Sequence, residues 1–301
     1  MTSETAGALM EATIPGQEPL HRGKVRDTFD LGDRLLIVAT DRVSAFDVVM
    51  NQGVPGKGKI LTQLSAFWFD KIGSVVPTHF IRVATGTPED ELPFDLPAEL
   101  TGRSMIVHKA ERVNAECIVR GYLAGSGWSE YQSTRKICGI RLMPGLEESQ
   151  ELPEPIFTPS TKEETGHDRN ISYEEFASLV TPEAANVIRL RSLATYRFAA
   201  EYARSRGMII ADTKFEFGRV NGELILIDEA LTPDSSRFWP AAGYRLGRSQ
   251  PSYDKQVLRD WLSATGWNKE PPPPQLSQDV IENTARLYRE AYRQLTGAEP
   301  A

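Results

Sequence analysis

The sequence predicts a globular chain of mixed helices and strands in about two domains, and three observations carry that expectation. The first is size and composition: 301 residues, 40% hydrophobic and 25% charged, enough to bury a substantial core and ordinary for a folded protein. The second is a pair of hairpin patterns, one over residues 21–40 around Leu31-Gly32-Asp33 and one over residues 209–227 around Asn221-Gly222. The third is helical spacing of apolar residues, as in Leu61, Leu64, Trp68 and Ile72, and again in Val187, Leu190, Ala194, Phe198 and Tyr202. No apolar run is long enough for a membrane span, and Met1 to Pro15 lacks the layout of a signal peptide, so a cytoplasmic protein is expected. Two cysteines, Cys117 and Cys138, make no disulfide framework and read as core or loop residues, and four scattered histidines give no zinc spacing. A net charge of -7 argues against a nucleic-acid surface. Anionic ligands would then need local clusters of cations.

Taken in order, the first hairpin opens on Gly23-Lys24-Val25-Arg26. A glycine among cations lets backbone amides approach a phosphate, with Lys24 and Arg26 on one strand face; a plain glycine turn reads equally well. The GK[ST] ending of a Walker loop is absent. Asp41 to Asp47, DRVSAFD, follows the second strand with the polar density of a site. A glycine-rich stretch, residues 53–59, feeds the helix of Leu61 to Ile72, whose N-terminus could attract an anion. Residues 85–100 read as a surface excursion, and residues 104–110 and 113–120 as two strands. Arg120 then meets Gly121 to Trp128, small residues at a helix start, which suit a phosphate cradle or a tight connection. Residues 136–155 show no sustained period and read as a solvated loop. In FTPSTKEETGHD, residues 157–168, Lys162 and Asp168 are candidates only in company. Ser172 to Glu175 reads as a capping box, Thr181-Pro182 starts a long helix that Gly207 ends, and helices follow near residues 252–262 and 278–295 across the linker Pro271 to Pro274.

The stretch from Ile209 to Trp239 organises the rest. Strand alternation puts Asp212, Lys214 and Glu216 on one face, and a second strand runs into Asp228-Glu229. Such a row of charges fits a solvated edge or a site for charged ligands, since burying an unpaired ion costs several kcal/mol. Thr232 to Arg237 then supplies hydroxyls, backbone donors and a guanidinium beside the acids, the chemistry needed next to an anion and a metal.

GKVRD, DRVSAFD, RGYLAGSGW, FTPSTK, ADTKFEFG and IDEALTPDSSRFW occur in this order on one chain. Together, over roughly residues 20–262, they closely resemble the SAICAR synthetase family of purine biosynthesis in its longer form. The resemblance implies an α+β fold: an N-terminal antiparallel-sheet lobe resembling kinase N-lobes, over residues 1–110, and a larger α+β, ATP-grasp-like lobe over residues 111–301, with ATP in the cleft between them. It implies ATP-dependent joining of the carboxylate of carboxyaminoimidazole ribonucleotide (CAIR) to the amine of L-aspartate, giving SAICAR, ADP and phosphate. The implied partners are small molecules and Mg²⁺, with neither nucleic acid nor membrane, and a monomer is favoured. A phosphotransferase with the same ATP cleft, or a silent nucleotide-binding protein, are the rival readings.

The resemblance also implies residue roles. Gly23, Lys24, Val25 and Arg26 match the glycine loop beside the ATP phosphates, Lys109, Ala110 and Glu111 the adenine-holding segment, and Lys162 the ATP side. Glu216 and Asp228 match the magnesium carboxylates. Arg120, Ser126, Asp212, Lys214 and Arg237 match residues around CAIR, with Asp212 and Lys214 catalytic, and Ser44 and Asp47 line the substrate side. Arg169, in HDRN, departs from the expected HDEN. A shared metal requires Glu216 and Asp228 on one face. That predicts a three-residue bulged turn, Val220-Asn221-Gly222, with Gly222 at positive φ, rather than a two-residue turn that sets Glu216 opposite Ile227.

Overall fold

The computed structural model describes residues 7–162 and 169–300, which fall into two units. The first comprises the described residues up to Phe67, His79–Lys109 and the chain from Tyr253 onward; the second comprises Trp68–Thr78 and Ala110–Ser252.

In the first unit, β1 (His21–Arg22), β2 (Arg26–Asp30) and β3 (Arg34–Ala39) form the expected antiparallel ribbon. β4 (Arg42–Ala45) and β5 (Val48–Gly53) pair separately as a short hairpin. After α1 (Lys57–Ile72), β6 (Phe80–Val83) and β7 (Ser104–His108) complete a five-stranded sheet in the order β1-β2-β3-β7-β6. Its apolar face buries Phe29, Leu36, Val38 and Ile106 against Ala12 and Ile14. Leu61, Leu64, Trp68 and Ile72 of α1 are all buried, as their spacing predicted.

The second unit is built on one strand. β8 (Glu111–Arg112) leads into β9 (Ala115–Tyr122), α2 (Gly125–Thr134), the small ribbon β10 (Lys136–Ile137) and β11 (Ile140–Arg141), and then β12 (Glu151–Thr161). Residues 136–155 are therefore not one solvated loop: β12 pairs with β9 from Glu151, and a register shift before Ile156 interrupts the alternation that would have announced it. After α3 (Tyr173–Val180) and α4 (Pro182–Ser205) comes β13 (Met208–Val220), then β14 (Glu223–Ile227) and β15 (Ser236–Pro240). β13 pairs with β9 and β15 along its first half and with β14 and β8 along its second, all antiparallel. Thirteen residues let one strand serve two sets of neighbours.

Two expectations fail here. The turn after β13 is the two-residue kind: Val220 pairs with Glu223 and Glu216 with Ile227, with Asn221 and Gly222 at φ 51° and 84°. Both central residues tolerate left-handed φ, which matches the strand twist without a bulge. Secondly, α4 buries Ala184, Ala185, Ile188, Ser192, Thr195, Tyr196, Ala199 and Ala203, while Leu190 and Phe198 stay 52% and 37% exposed. The sheet demands close approach, so the small-residue face wins over the larger one. Tyr196 shows how close: a Cβ at Gly121 would lie 1.9 Å from its hydroxyl.

The chain from α5 (Gln256–Ala264) through α6 (Gln278–Thr296) groups with the first unit, a division different from the one at residue 110. Leu258, Leu262, Leu276, Val280, Ile281 and Ala285 share a core cluster with Val43, Met50 and Val54, which explains the grouping. Among the described residues no helix is long and apolar enough to cross a membrane.

Candidate functional site

β12, β9, β13 and β15 place a grid of polar side chains on one sheet face, because antiparallel partners point the same way and alternate residues recur. Thr158 faces Ile118 and Ser160 faces Glu116 across β12 and β9; Asp212 faces Arg120 across β13 and β9, and Arg237 across β13 and β15. Two clusters result.

In the first, one carboxylate sits between two guanidiniums. Arg120 Nη1 donates to Asp212 Oδ2 at 3.1 Å, Nη2 to Ser126 Oγ at 3.0 Å and Nε to Thr158 Oγ1 at 3.0 Å, while Arg237 donates to the same Asp212 oxygen. Arg120 is fully buried; burial presses its pKa below the ordinary arginine value, opposed by Asp212. Ser126 lies in the first turn of α2, whose amides favour anions. Glycine is favoured there. A Cβ on Gly125, at φ 54°, would lie 2.2 Å from Arg237 Nη2, and one on Gly127 would lie 3.0 Å from Arg120 Cδ. Two cations, one anion, a hydroxyl and a helix start form a receptor for a phosphate-sized anion.

The second cluster has the opposite balance. Lys214 Nζ donates to Glu116 Oε1 at 2.5 Å, and Lys162 pairs with Glu216. Burial and the nearby Asp228 push the Glu216 carboxyl above its usual range, against Lys162 and Lys214. Burial lowers the Lys214 ammonium, but Glu116, Glu216 and Asp228 outweigh it and hold Lys214 above the ordinary value. Asp228 reaches this cluster by a route the strand pattern does not show. In the observed register it would follow Ile227 onto the other face, but β14 ends at Ile227 and Asp228 turns out of the ladder at φ 66°. The bulged register is therefore wrong, and the proximity of Asp228 to Glu216 comes from the turn.

Glu116, Glu216 and Asp228 thus gather around Lys214 and Lys162. Among the described residues no group of three or more His, Cys, Asp or Glu is gathered for a metal. The donor set nevertheless fits Mg²⁺, which typically takes one or two protein carboxylates and fills its shell with phosphate oxygens and water.

Sequence reasoning missed Glu116 and Thr158. Glu116 stands 98 residues from the lysine it holds; alternation along β9 from Arg120 through Ile118 was the signal that could have found it. Cys117 and Cys138 are buried, and burial raises both thiols, Cys138 to about 12, so neither is a ready nucleophile.

In the first unit, Gly23 N donates to Arg26 O at 2.7 Å, which closes a turn before β2. Lys24 lies in that turn and Arg26 in β2, so they do not share a strand face. Arg42 fastens the turn, donating from Nη2 to Gly23 O at 2.9 Å and to Asp27 Oδ1 at 2.7 Å. Val25 O accepts from Thr40 Oγ1 at 2.7 Å. Lys24 Nζ meets Asp47 Oδ1 at 2.5 Å, and Ser44 lies half-buried in β4. Lys109 binds Asp30 at 2.8 Å through its side chain and Asp33 O through its amide, 3.0 Å; in the second unit Ala110 packs against Gly218, and Glu111 pairs with Arg219. The N-terminus of α1 is already filled: Gly58 N donates to Asp41 Oδ1 at 2.9 Å, and Arg103 Nη1 to the same oxygen at 3.0 Å. His167 and Asp168 lie outside the described residues, and Arg169 pairs with Glu175.

A family model described as SAICAR synthetase matches residues 19–274. A phosphoribosylaminoimidazole-succinocarboxamide synthase of Thermodesulfovibrio yellowstonii is 55% identical over 291 residues, covering 96% of this chain and 98% of that protein. One from Desulfosudis oleivorans is 57% identical over 286 residues, 94% and 97% of the two chains. Among solved structures, the SAICAR synthase of Saccharomyces cerevisiae complexed with SAICAR superposes with a TM-score of 0.87 at 43% identity, over 97% of this chain and 99% of that one. A SAICAR synthetase in complex with ADP gives 0.69 at 27% identity, over 93% and 99%.

Proposed function

This chain belongs to the SAICAR synthetase family, and on that premise we propose how its residues carry the reaction. The protein is an ATP-dependent carbon–nitrogen ligase of purine biosynthesis, joining the carboxylate of CAIR to the amine of L-aspartate to give SAICAR, ADP and phosphate. The observation that carries the assignment of roles is the sorting of charge on one sheet face: an anion receptor at Arg120, Asp212 and Arg237, and a carboxylate-rich cluster at Glu116, Glu216 and Asp228.

A carboxylate resists attack by an amine until it is activated, most simply as an acyl phosphate taken from the γ-phosphate of ATP. Transfer between two anions is governed by positioning and charge neutralisation. Arg120, Ser126 and Arg237 hold the phosphate of CAIR, with Asp212 orienting both guanidiniums. Lys214 stands beyond them on the same face; Glu116 keeps it charged and aimed at the transferring group. For the remaining positions the proposal keeps the roles the resemblance implies: Lys24, Arg26 and Lys162 as ATP-phosphate residues, the backbone of Lys109 to Glu111 for adenine, and Ser44 and Asp47 for the substrate side. Glu216 and Asp228 would hold Mg²⁺, which when bound supplies the neutralising charge for phosphoryl transfer. The reading proposed here is of a cytoplasmic, monomeric enzyme.

The deciding experiment measures ADP release from ATP and CAIR, with L-aspartate present, omitted or replaced by other amines. Release that needs all three substrates is expected. Equal turnover with simple amines would overturn the ligase reading in favour of a less specific transferase.

A further inference from the structure

The turn joining β4 to β5 is Phe46-Asp47, and both residues lie at left-handed φ, 52° and 64°, with Ala45 and Val48 paired across it. Asparagine and glycine fit such a turn without penalty; a phenylalanine followed by an aspartate must be held there by its surroundings. Two cations contribute, from distant parts of the chain. Lys24 Nζ meets Asp47 at 2.5 Å. Lys269 Nζ stands 4.5 Å from the centroid of the Phe46 ring, well inside cation–π range.

Lys269 is presented by a shaped loop between α5 and α6. It lies at φ 66°, Trp267 Nε1 donates to Glu270 O at 2.7 Å, and Glu270 N donates to Asn268 Oδ1 at 3.1 Å. Trp267 and Phe46 pack on the same cluster of Val43, Met50, Leu258 and Leu276. The two anchors differ in what can displace them. The Lys24–Asp47 pair is exposed, at 52% and 44%, and an exposed pair is weak and screened. A triphosphate offers Lys24 several charges against one carboxylate. On the roles read above for Lys24 and Asp47, ATP would draw Lys24 off while Asp47 has to stay in place.

We propose that Lys269 is a positioning residue, which holds the Phe46-Asp47 turn through the Phe46 ring while ATP occupies Lys24. The inference rests on the reading of Lys24 and Asp47 given above, and it assigns the segment between α5 and α6 a part in substrate placement.

The test compares the full-length protein with Lys269→Met, Lys269→Arg, Phe46→Leu and the double variant Phe46→Leu/Lys269→Met. Cleavage between Phe46 and Asp47 by an aspartate-directed endoproteinase is followed with and without magnesium ATP, beside steady-state kinetics. Without ATP all forms should resist alike. With ATP, Lys269→Met and Phe46→Leu should be cut about three- to fivefold faster than the parent and show a similar rise in KM for CAIR, the scale of one exposed cation–π contact. Lys269→Arg should match the parent, and the double variant should be no worse than either single one. An ATP-independent difference, an arginine variant as poor as the methionine one, or additive losses in the double variant would overturn the proposal. If the parent released no ADP with CAIR and aspartate, the functional reading would fall, while the ATP-dependent cleavage would still decide the role of Lys269.

Discussion

The two clusters on the sheet face of the second unit use the same residue types to opposite ends. Around Asp212 two arginines share one carboxylate, and every contact follows from strand register: Arg120 and Arg237 are its direct partners on either side. Around Glu216 two lysines face three carboxylates, and the last of these arrives through a left-handed turn. The arginine cluster has the geometry of an anion receptor, held firmly because planar forks have few ways to satisfy one carboxylate. The lysine cluster is rich in carboxylates, a donor set that suits a further cation. Charge count sets what each cluster binds; register sets how firmly it is held.

The largest effect expected from that contrast is at Lys214. Lys214→Met leaves Glu116, Glu216 and Asp228 with one ammonium, and loss of a group that stabilises the transferring phosphoryl costs about 10²–10³-fold in turnover. Single-turnover ADP release would measure it. Near-normal turnover would show that the lysine cluster is structural.

Next comes Arg120→Ala, which should weaken CAIR by about 1.5–3 kcal/mol while ATP affinity holds, and Ser126→Ala, which should weaken it less. Titrations of each variant with both ligands decide the point. A selective loss of ATP would exchange the roles of the two clusters.

The lysine cluster has a pH signature. The Glu216 carboxyl is held above the ordinary glutamate range by burial and Asp228, so between the ordinary and the raised value the unfolded chain has lost a proton that the folded chain keeps, and stability falls as pH rises through this window. Glu216→Gln should lack that decline. Thermal melts across acidic pH should therefore show the variant gaining on the parent, and added Mg²⁺ should raise the parent's midpoint alone. Parallel pH curves would remove Glu216 as the strained group.

The smallest effects concern backbone. Gly125→Ala forces Arg237 aside and should cost CAIR affinity several-fold, within about 1–2 kcal/mol. At Gly222 nothing lies within 4 Å of a new Cβ, so Gly222→Val carries only the penalty of its φ of 84°. Its melting temperature should fall while KM values stay put. A change in KM would mean that the turn, and not only Asp228, is coupled to the site.

Much of this was legible in the residues. The alternation of Asp212, Lys214 and Glu216 gave one face of β13, and Arg120 beside small residues gave the strand-to-helix cradle. The family resemblance then named the reaction. What stayed hidden has physical causes. Pairing between β9 and β13 joins residues about a hundred positions apart, so Glu116 could be found only by asking what neutralises a buried lysine. Large apolar side chains on α4 pointed to the wrong face, because periodicity ranks hydrophobicity while the sheet selected for smallness. The turn at Asn221-Gly222 was misjudged by requiring the metal carboxylates to meet through the pleat. Asp228 leaves the strand instead, and still acts electrostatically on Glu216.

Asp41 carries a last consequence. All three substrates of this reaction are anions, and in such a protein an idle cationic pocket is a decoy where ligands lodge without reacting. The start of α1, with Gly58 and Arg103 turned toward it, would be such a decoy, but the chain seats its own buried carboxylate there. Arg42 is occupied in the same way by Asp27. Selectivity for polyanions is thus partly a matter of housekeeping: Arg103 and Arg42 are answered by carboxylates sealed from solvent, Asp41 and Asp27, while a pair such as Lys24–Asp47 stays open to exchange with a ligand.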